Sequence, residues 1–418
     1  MKHQIQNIKN KILNNTKVVE NYFFMTLLQV LSSAFGILIY PYLIRTLGSE
    51  SYGIYIFAIA VVTYFIDFTG FGFQLTGLKL IEENKSDRAQ KSRILSSLLS
   101  AKIYLAVLSA VIFIPSVFIF TQSNQTKILF FIVFSQLIAE VIYPQWYFRA
   151  IQKMKIVTYT QLSFRLASLP FIFLLVKSPS DILTFAIISV ISVILPAVAL
   201  LIYILKTENV NFQLVSLKNC MSYILDTFPI FVSSFIETVK QESTVLLIGI
   251  LLGMKEVAMF DLARKIILLP RMLLANINVA IYPKLRLNSS VKNIRKIIFY
   301  EWIIGLTIIA TIFIFGYPIV LLLGGKQMSE TYPILLFLSF TLLTWLVVGA
   351  YNYHVFIPNK LNYTITKTQL VSLCSFLLFL LPNFIFVPNL KLIVLALSIS
   401  SIVEIVFTTF VIKKMQLL

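Results

Sequence analysis

Charge is scarce in this sequence. Asp, Glu, Lys and Arg make up 12% of its 418 residues, about half the share of a soluble domain. Little of its surface can therefore face water. Histidine and cysteine are scarcer still, with two of each. His3 sits in a basic tail and His354 at a helix end, and neither is placed as a catalyst. Cys220 and Cys374 lie beside or within apolar stretches and read as small hydrophobes. They point to no disulfide framework and no metal site. No HExxH, P-loop or CxxC pattern occurs. Without a P-loop the chain is not itself an ATP-driven pump, and no cofactor is expected. Residues 1–17 lack the apolar core and small-residue cleavage site of a secretory signal, so no cleavable signal is expected there. No loop between the apolar stretches is long enough to fold as a domain, which weighs against a soluble catalytic or receptor module.

Apolar sequence is what the chain has in abundance. Hydrophobic residues account for 58% of it, 36 of them Phe, and the mean hydropathy is +0.89. A bilayer-spanning helix needs about 20 mostly apolar residues. Runs of that kind occupy about 20–44, 52–78, 94–120, 128–148, 158–177, 182–205, 221–250, 256–282, 297–323, 331–354, 361–387 and 389–412. The expected fold is all-α: a polytopic membrane protein with twelve transmembrane helices. Ahead of them, Ile5, Ile8 and Ile12 recur at helical spacing among Lys9, Lys11 and Lys17. Residues 1–17 read as a basic amphipathic segment on the cytoplasmic membrane surface.

The net charge of +18 would raise nucleic acid in a soluble protein, but here the basic residues sit mostly in short loops. Alternate loops and both ends together hold 23 Lys and Arg, against 6 in the opposite loops. The positive-inside rule then puts both termini in the cytoplasm and makes nucleic-acid binding a poor reading.

The two halves of the chain resemble each other. Leu47-Gly48, Gly53, Tyr55 and Ala58 correspond to Leu252-Gly253, Ala258, Phe260 and Ala263, and Lys79 corresponds to Lys284, each at an offset of 205. Six spans per copy is an even number, so both copies share one orientation. The expected organisation is a six-helix bundle at 18–206, a cytoplasmic linker at 207–219 and a second six-helix bundle at 220–418. Such parallel repeats occur in secondary transporters that handle substrate between the halves.

Ionisable residues inside the spans are the candidates for function. Each costs about 2.5–3.5 kcal/mol at the bilayer centre, so most must face protein or water. They are Asp67, Lys102, Glu140, Arg165, Glu237, Lys240, Glu242, Asp261, Arg264, Lys265, Arg271 and Glu404. Asp261, Arg264, Lys265, Leu268 and Arg271 follow i, i+3, i+4, i+7 and i+10, one face of a helix. Pro270 removes a backbone hydrogen bond beside them, and a kink is expected. Asp67 stands near Gly70-Phe71-Gly72. One reading is a hydrated cationic cavity, with Lys240, Arg264, Lys265, Arg271 and Arg165 binding an anionic substrate. The other is local neutralisation, with Asp261 paired to Arg264 or Lys265 and Glu237 to Lys240. For Lys102, Glu140 and Arg165, snorkelling to the interface is the simpler reading. Asp67, Glu237, Asp261 and Glu404 are the candidates for ion coupling.

Several stretches together resemble bacterial polysaccharide flippases of the Wzx type, in the multidrug/oligosaccharidyl-lipid/polysaccharide exporter superfamily. They are Pro41-Tyr42-Leu43-Ile44-Arg45-Thr46-Leu47-Gly48 running to Tyr52-Gly53, and Pro144-Gln145-Trp146-Tyr147-Phe148 followed by Lys153-Met154. The second half contributes Leu252-Gly253 through Tyr282-Pro283-Lys284-Leu285, and Glu404 in the final span. Arg149-Ala150 stands where such proteins commonly carry Gln-Gly. The resemblance covers about 18–412. It implies two MATE-like six-helix bundles in the bacterial inner membrane. It also implies alternating-access transfer of an undecaprenyl-pyrophosphate-linked oligosaccharide, for O-antigen or capsule, to the outer leaflet. A polysaccharide polymerase and a chain-length regulator are the partners it implies. A drug/cation antiporter would favour acidic cavity residues. A membrane polymerase or glycosyltransferase would show a large extracytoplasmic loop or clustered carboxylates, and neither is present.

Overall fold

The computed structural model describes residues 2–84, 87–286, 291–359, 361–385 and 387–417, with side chains at 2–16, 18, 273, 275–286 and 362 also outside the description. The amphipathic face expected over 1–17 and the Tyr282-Pro283-Lys284-Leu285 stretch lie outside the described side chains. Among the described residues every regular element is a helix. In order these are α1 (Lys2–Thr46), α2 (Gly48–Gly70), α3 (Phe73–Glu83), α4 (Arg88–Phe120), α5 (Asn124–Phe134), α6 (Gln136–Ile142), α7 (Gln145–Ala150) and α8 (Met154–Leu175). There follow α9 (Ile182–Thr207), α10 (Leu217–Leu251), α11 (Met254–Arg286), α12 (Val291–Gly324), α13 (Thr331–Tyr351), α14 (Asn362–Leu380), α15 (Pro382–Ile385) and α16 (Leu390–Lys414). Nine segments among them are long and apolar enough to cross a membrane. The other long helices, α8, α10 and α11, have 22, 35 and 33 residues and carry Arg165 and most of the unit 2 charges discussed below.

The chain forms two compact units. Unit 1 comprises 1–32 and 62–235; unit 2 comprises 33–61 and 236–418. The corner between α1 and α2 turns at Gly48 (φ 75°), and the corner between α10 and α11 turns at Gly253 (φ 122°). These glycines are one pair of the sequence repeat, and both take a backbone conformation that L side chains rarely adopt. Within unit 2, α2 meets the start of α11 so closely that a Cβ on Gly53 would lie 1.8 Å from the Met254 carbonyl oxygen. No side chain fits there. α11 continues as a helix past Pro270, as neighbouring groups permit in membrane helices.

In unit 1, the span Gly48–Glu83 is broken after Gly70, where Phe71 (φ 46°) and Gly72 (φ 77°) are both left-handed. That conformation costs Phe roughly 1–2 kcal/mol. Burial offsets it: the Phe71 ring stacks on Phe231 with centroids 4.3 Å apart. The next span, Asn124–Ala150, is broken into α5, α6 and α7. Pro144 has no N–H to give the carbonyl of residue 140. Lys102 takes over, its Nζ donating to the Glu140 carbonyl oxygen at 2.9 Å and to Glu140 Oε1 at 2.6 Å. Lys102 is wholly buried. The interface snorkelling expected of Lys102 does not occur; it closes a helix break instead. Trp146, Tyr147 and Phe148 are likewise completely buried. A Cβ on Gly77 would come within 2.6 Å of the Trp146 ring, so the Pro-Gln-Trp-Tyr-Phe motif is core packing that requires a glycine opposite.

Residues 208–216 run without helix along α4, held by serines at i, i+4 and i+8. The Asn211, Gln213 and Val215 N–H groups donate to Ser92, Ser96 and Ser100 Oγ at 3.3, 3.1 and 2.9 Å. Four residues of helix rise roughly 6 Å and two residues of extended chain roughly 6.6 Å, so the two periods match. Glu208 anchors the strap to Lys153 (2.8 Å) and Lys91 (3.4 Å). Burial raises the Glu208 carboxyl, but the two ammonium groups outweigh it and hold it below its ordinary range. A carboxyl lowered on folding stabilises above its unfolded value and loses that contribution as pH falls through the folded one. The melting temperature of the wild type should therefore fall more steeply than that of Glu208→Gln on acidification below about pH 4.3. Parallel curves would contradict the clamp.

Candidate functional site

Seven of the nine candidate residues come together in unit 2, on α10, α11 and α16. They separate into three groups. The first joins α11 to α2. Asp261 and Lys265 form an ion pair one turn apart. The Tyr52 hydroxyl donates to Asp261 Oδ2 at 2.8 Å, and Lys265 Nζ donates to the Tyr52 oxygen at 2.5 Å. Lys265 Nζ also lies 5.3 and 5.2 Å from the ring centroids of Tyr40 and Tyr52, within cation–π range. Tyr40 in turn donates to the Ala258 carbonyl at 3.3 Å. This group is fully satisfied and mostly buried.

The second group lies between α10, α14 and α16. Lys240 Nζ donates to Ser372 Oγ at 2.5 Å and sits 3.7 Å from Glu404 Oε2. The Ser372 hydroxyl donates in turn to the Ser400 carbonyl oxygen at 3.3 Å. Lys240 is 6% exposed, so its charge depends on Glu404. The local pairing of Lys240 with Glu237 is not the one formed. Glu237 accepts from Gln241 Nε2 at 2.5 Å.

The third group is less committed. Arg264 Nη2 reaches Glu242 Oε1 at 3.3 Å, and its side chain is 35% exposed. A guanidinium has five donors, and this contact uses one. Arg271 lies over the Trp345 ring, 4.9 Å from its centroid, within electrostatic reach of Glu237 and Arg264. Among the described residues Arg271 forms no ion pair. The two guanidiniums stand two turns apart on one face of α11, able to grip a planar or tetrahedral anion.

Asp67 and Arg165 belong to unit 1. Asp67 is partly exposed on α2, three residues before the break. Arg165 Nη1 donates to the Ser32 carbonyl at 3.2 Å, a fixed contact within the protein. The residues missed in the sequence are Tyr40, Tyr52, Trp345 and Ser372. Their signal was weak because none carries a charge, though Tyr52 lies in a quoted motif. Among the described residues, no three His, Cys, Asp or Glu side chains gather as metal ligands do.

Comparison with known proteins places this geometry in a family. The family described as "Polysaccharide biosynthesis protein" matches residues 18–288. The chain belongs to that family. Two relatives, each called "Putative O-antigen transporter", are similar to it. The one from Escherichia coli (strain K12) is 26% identical over 285 residues, 68% of this chain and 69% of the relative. The one from Shigella dysenteriae is 24% identical over 314 residues, 74% of this chain and 78% of the relative. Among solved structures, lipid II flippase MurJ in an inward closed conformation superposes with a TM-score of 0.69 at 16% identity, covering 96% of this chain and 87% of that one. An outward-facing MATE family multidrug resistance transporter of the MOP superfamily gives 0.58 at 14% identity, covering 95% and 96%. These structural likenesses concern the fold, which is of the MurJ and MATE kind. The chain has the apolar helices of a membrane protein.

Proposed function

We propose that this family member is a flippase of the bacterial inner membrane that carries undecaprenyl-pyrophosphate-linked oligosaccharide to the outer leaflet by alternating access. In this reading α8, α10 and α11 also cross the bilayer. Together with the nine apolar segments they make twelve spans, in two six-helix bundles with both termini cytoplasmic. The charges on these three helices are the reason they are less apolar. The observation that carries the reading is the pair Arg264 and Arg271, intramembrane guanidiniums with donors to spare in a chain related to O-antigen transporters. Intramembrane cations of this kind are costly and mark a ligand path. A pyrophosphate would take the unused donors as charge-assisted hydrogen bonds. The Lys240–Glu404 pair is the proposed coupling site: a proton on Glu404 would leave Lys240 without its counter-charge and favour a rearrangement of α10 against α16.

A drug/cation antiporter fits less well. Such a carrier offers an organic cation a free carboxylate. Here Glu404, Asp261, Glu242 and Glu237 are each engaged by another side chain. The relatives called O-antigen transporters favour a transporter over a polymerase or glycosyltransferase.

The test is complementation of strains that lack a flippase and assemble chemically defined repeat units. The chain should restore surface polymer in at least one such strain. Normal membrane levels with no polymer in any strain would refute the proposal.

A further inference from the structure

The break at Tyr143-Pro144 in unit 1 holds a second group of polar atoms that the unit 2 site does not use. Four side chains within seven residues have a buried polar atom with no hydrogen-bond partner: Tyr143 Oη, Trp146 Nε1, Tyr147 Oη and Arg149 Nε. Buried polar atoms are nearly always satisfied, and a concentration of exceptions calls for water or a ligand. Tyr143 and Arg149 lie within electrostatic reach of each other, and an arginine Nε–H can only donate, so the partner missing there is an acceptor.

The charges agree. Glu140 is neutralised by Lys102. Tyr143 lies within electrostatic reach of Glu140, Arg149 and Arg165. Among the described residues the Arg149 side chain forms no ion pair or hydrogen bond. Arg149 is thus a mostly buried cation whose charge no carboxylate meets among the described residues. The backbone gives a third reason. A span interrupted by Pro144, with Gln152 left-handed (φ 55°) just beyond α7, is tolerated in a membrane protein where it is buried or lines a cavity. Interrupted helices of this kind frame substrate sites.

We infer that this break is a second anion site, in which Arg149 and the Tyr143 hydroxyl hold a carboxylate or phosphate group of the glycolipid. The inference rests on the flippase reading and extends it: unit 1 has its own site for an acidic group of the substrate. The group is either an acid on the glycan or the pyrophosphate itself.

The experiment uses the full chain in liposomes with two pyrophosphate-linked substrates, one with a neutral glycan and one bearing a hexuronate. Arg149→Gln should move the hexuronate substrate at least about tenfold more slowly, the cost of losing one good charge-assisted contact. Loss on that substrate alone assigns the site to the glycan carboxylate; equal loss on both assigns it to the pyrophosphate. The melting temperature of Arg149→Gln should be unchanged or raised, because an unpaired cation leaves the protein interior. A merely structural arginine would lose stability and transport together. In the wild type, modification of Arg149 by phenylglyoxal should be slowed by inorganic pyrophosphate or by glucuronate. Transport by Arg149→Gln within twofold of wild type on both substrates, or modification indifferent to both anions, overturns the inference. Failure of the wild type to move either substrate would instead refute the flippase reading.

Discussion

Removing the Glu404 carboxylate alone, as Glu404→Leu, is expected to destabilise the protein by about 3–5 kcal/mol, the usual consequence of leaving a buried charge without its partner. Lys240→Met should do comparable damage from the other side. The double variant Lys240→Met/Glu404→Leu should recover most of that stability, because apolar side chains of similar volume replace a buried pair at little net cost. Transport is the discriminating readout. If the pair is the coupling site, the double variant melts like the wild type but loses dependence on the ion gradient. A stable double variant with unchanged gradient dependence would reduce the pair to a packing element between α10, α14 and α16. Single variants that melt within about 1 kcal/mol of the wild type would contradict the buried pairing itself.

The second large effect concerns α11. Arg264→Ala and Arg271→Ala each remove a charge-assisted donor set worth about 1.5–3 kcal/mol to a bound anion. That corresponds to roughly 10- to 100-fold slower transport for each. The double variant should be near background without being the product of the two, since both arginines would grip one group. Transport is compared at matched membrane levels, because Arg264 is the ion-pair partner of the buried Glu242, whereas among the described residues Arg271 forms no ion pair. Trp345→Leu is a graded control. It removes only the ring under Arg271, a contact worth about 0.5–2 kcal/mol, and should slow transport a few-fold. Surface polymer unchanged in the double Arg variant would rule out the anion-binding role of α11.

Much of the fold could be read from the chain because the bilayer simplifies the code. Length and apolarity alone locate the nine most apolar segments. The offset repeat pairs Gly48 with Gly253, and both have positive φ. The broken spans were harder. The break at Gly70-Phe71-Gly72 had a glycine signal, whereas the one at Pro144 lay within a run that reads as one helix. Its consequence, Lys102 reaching the Glu140 carbonyl, required knowing that α4 and α6 are neighbours. The site was legible as a set of residues but not as a set of partners. Helical spacing correctly offers Asp261 to Lys265, since both lie on one face a turn apart. The same reasoning offers Glu237 to Lys240, yet Lys240 turns to Ser372 and Glu404 on other helices. Spacing along one helix says nothing of what a neighbouring helix brings. Tyr52 and Trp345 were invisible for a different reason: their contribution is an aromatic face or a hydroxyl, which composition does not distinguish from core packing.

Delivery of the glycolipid between leaflets is the most direct measurement. The purified full-length chain is placed in liposomes whose inner leaflet carries a fluorescent undecaprenyl-pyrophosphate-linked oligosaccharide, and arrival of the glycan at the outer leaflet is followed. The wild type should deliver it, and Arg264→Ala/Arg271→Ala should not. A wild type that leaves the glycolipid in place while exporting an organic cation dye would contradict the flippase reading and favour the antiporter.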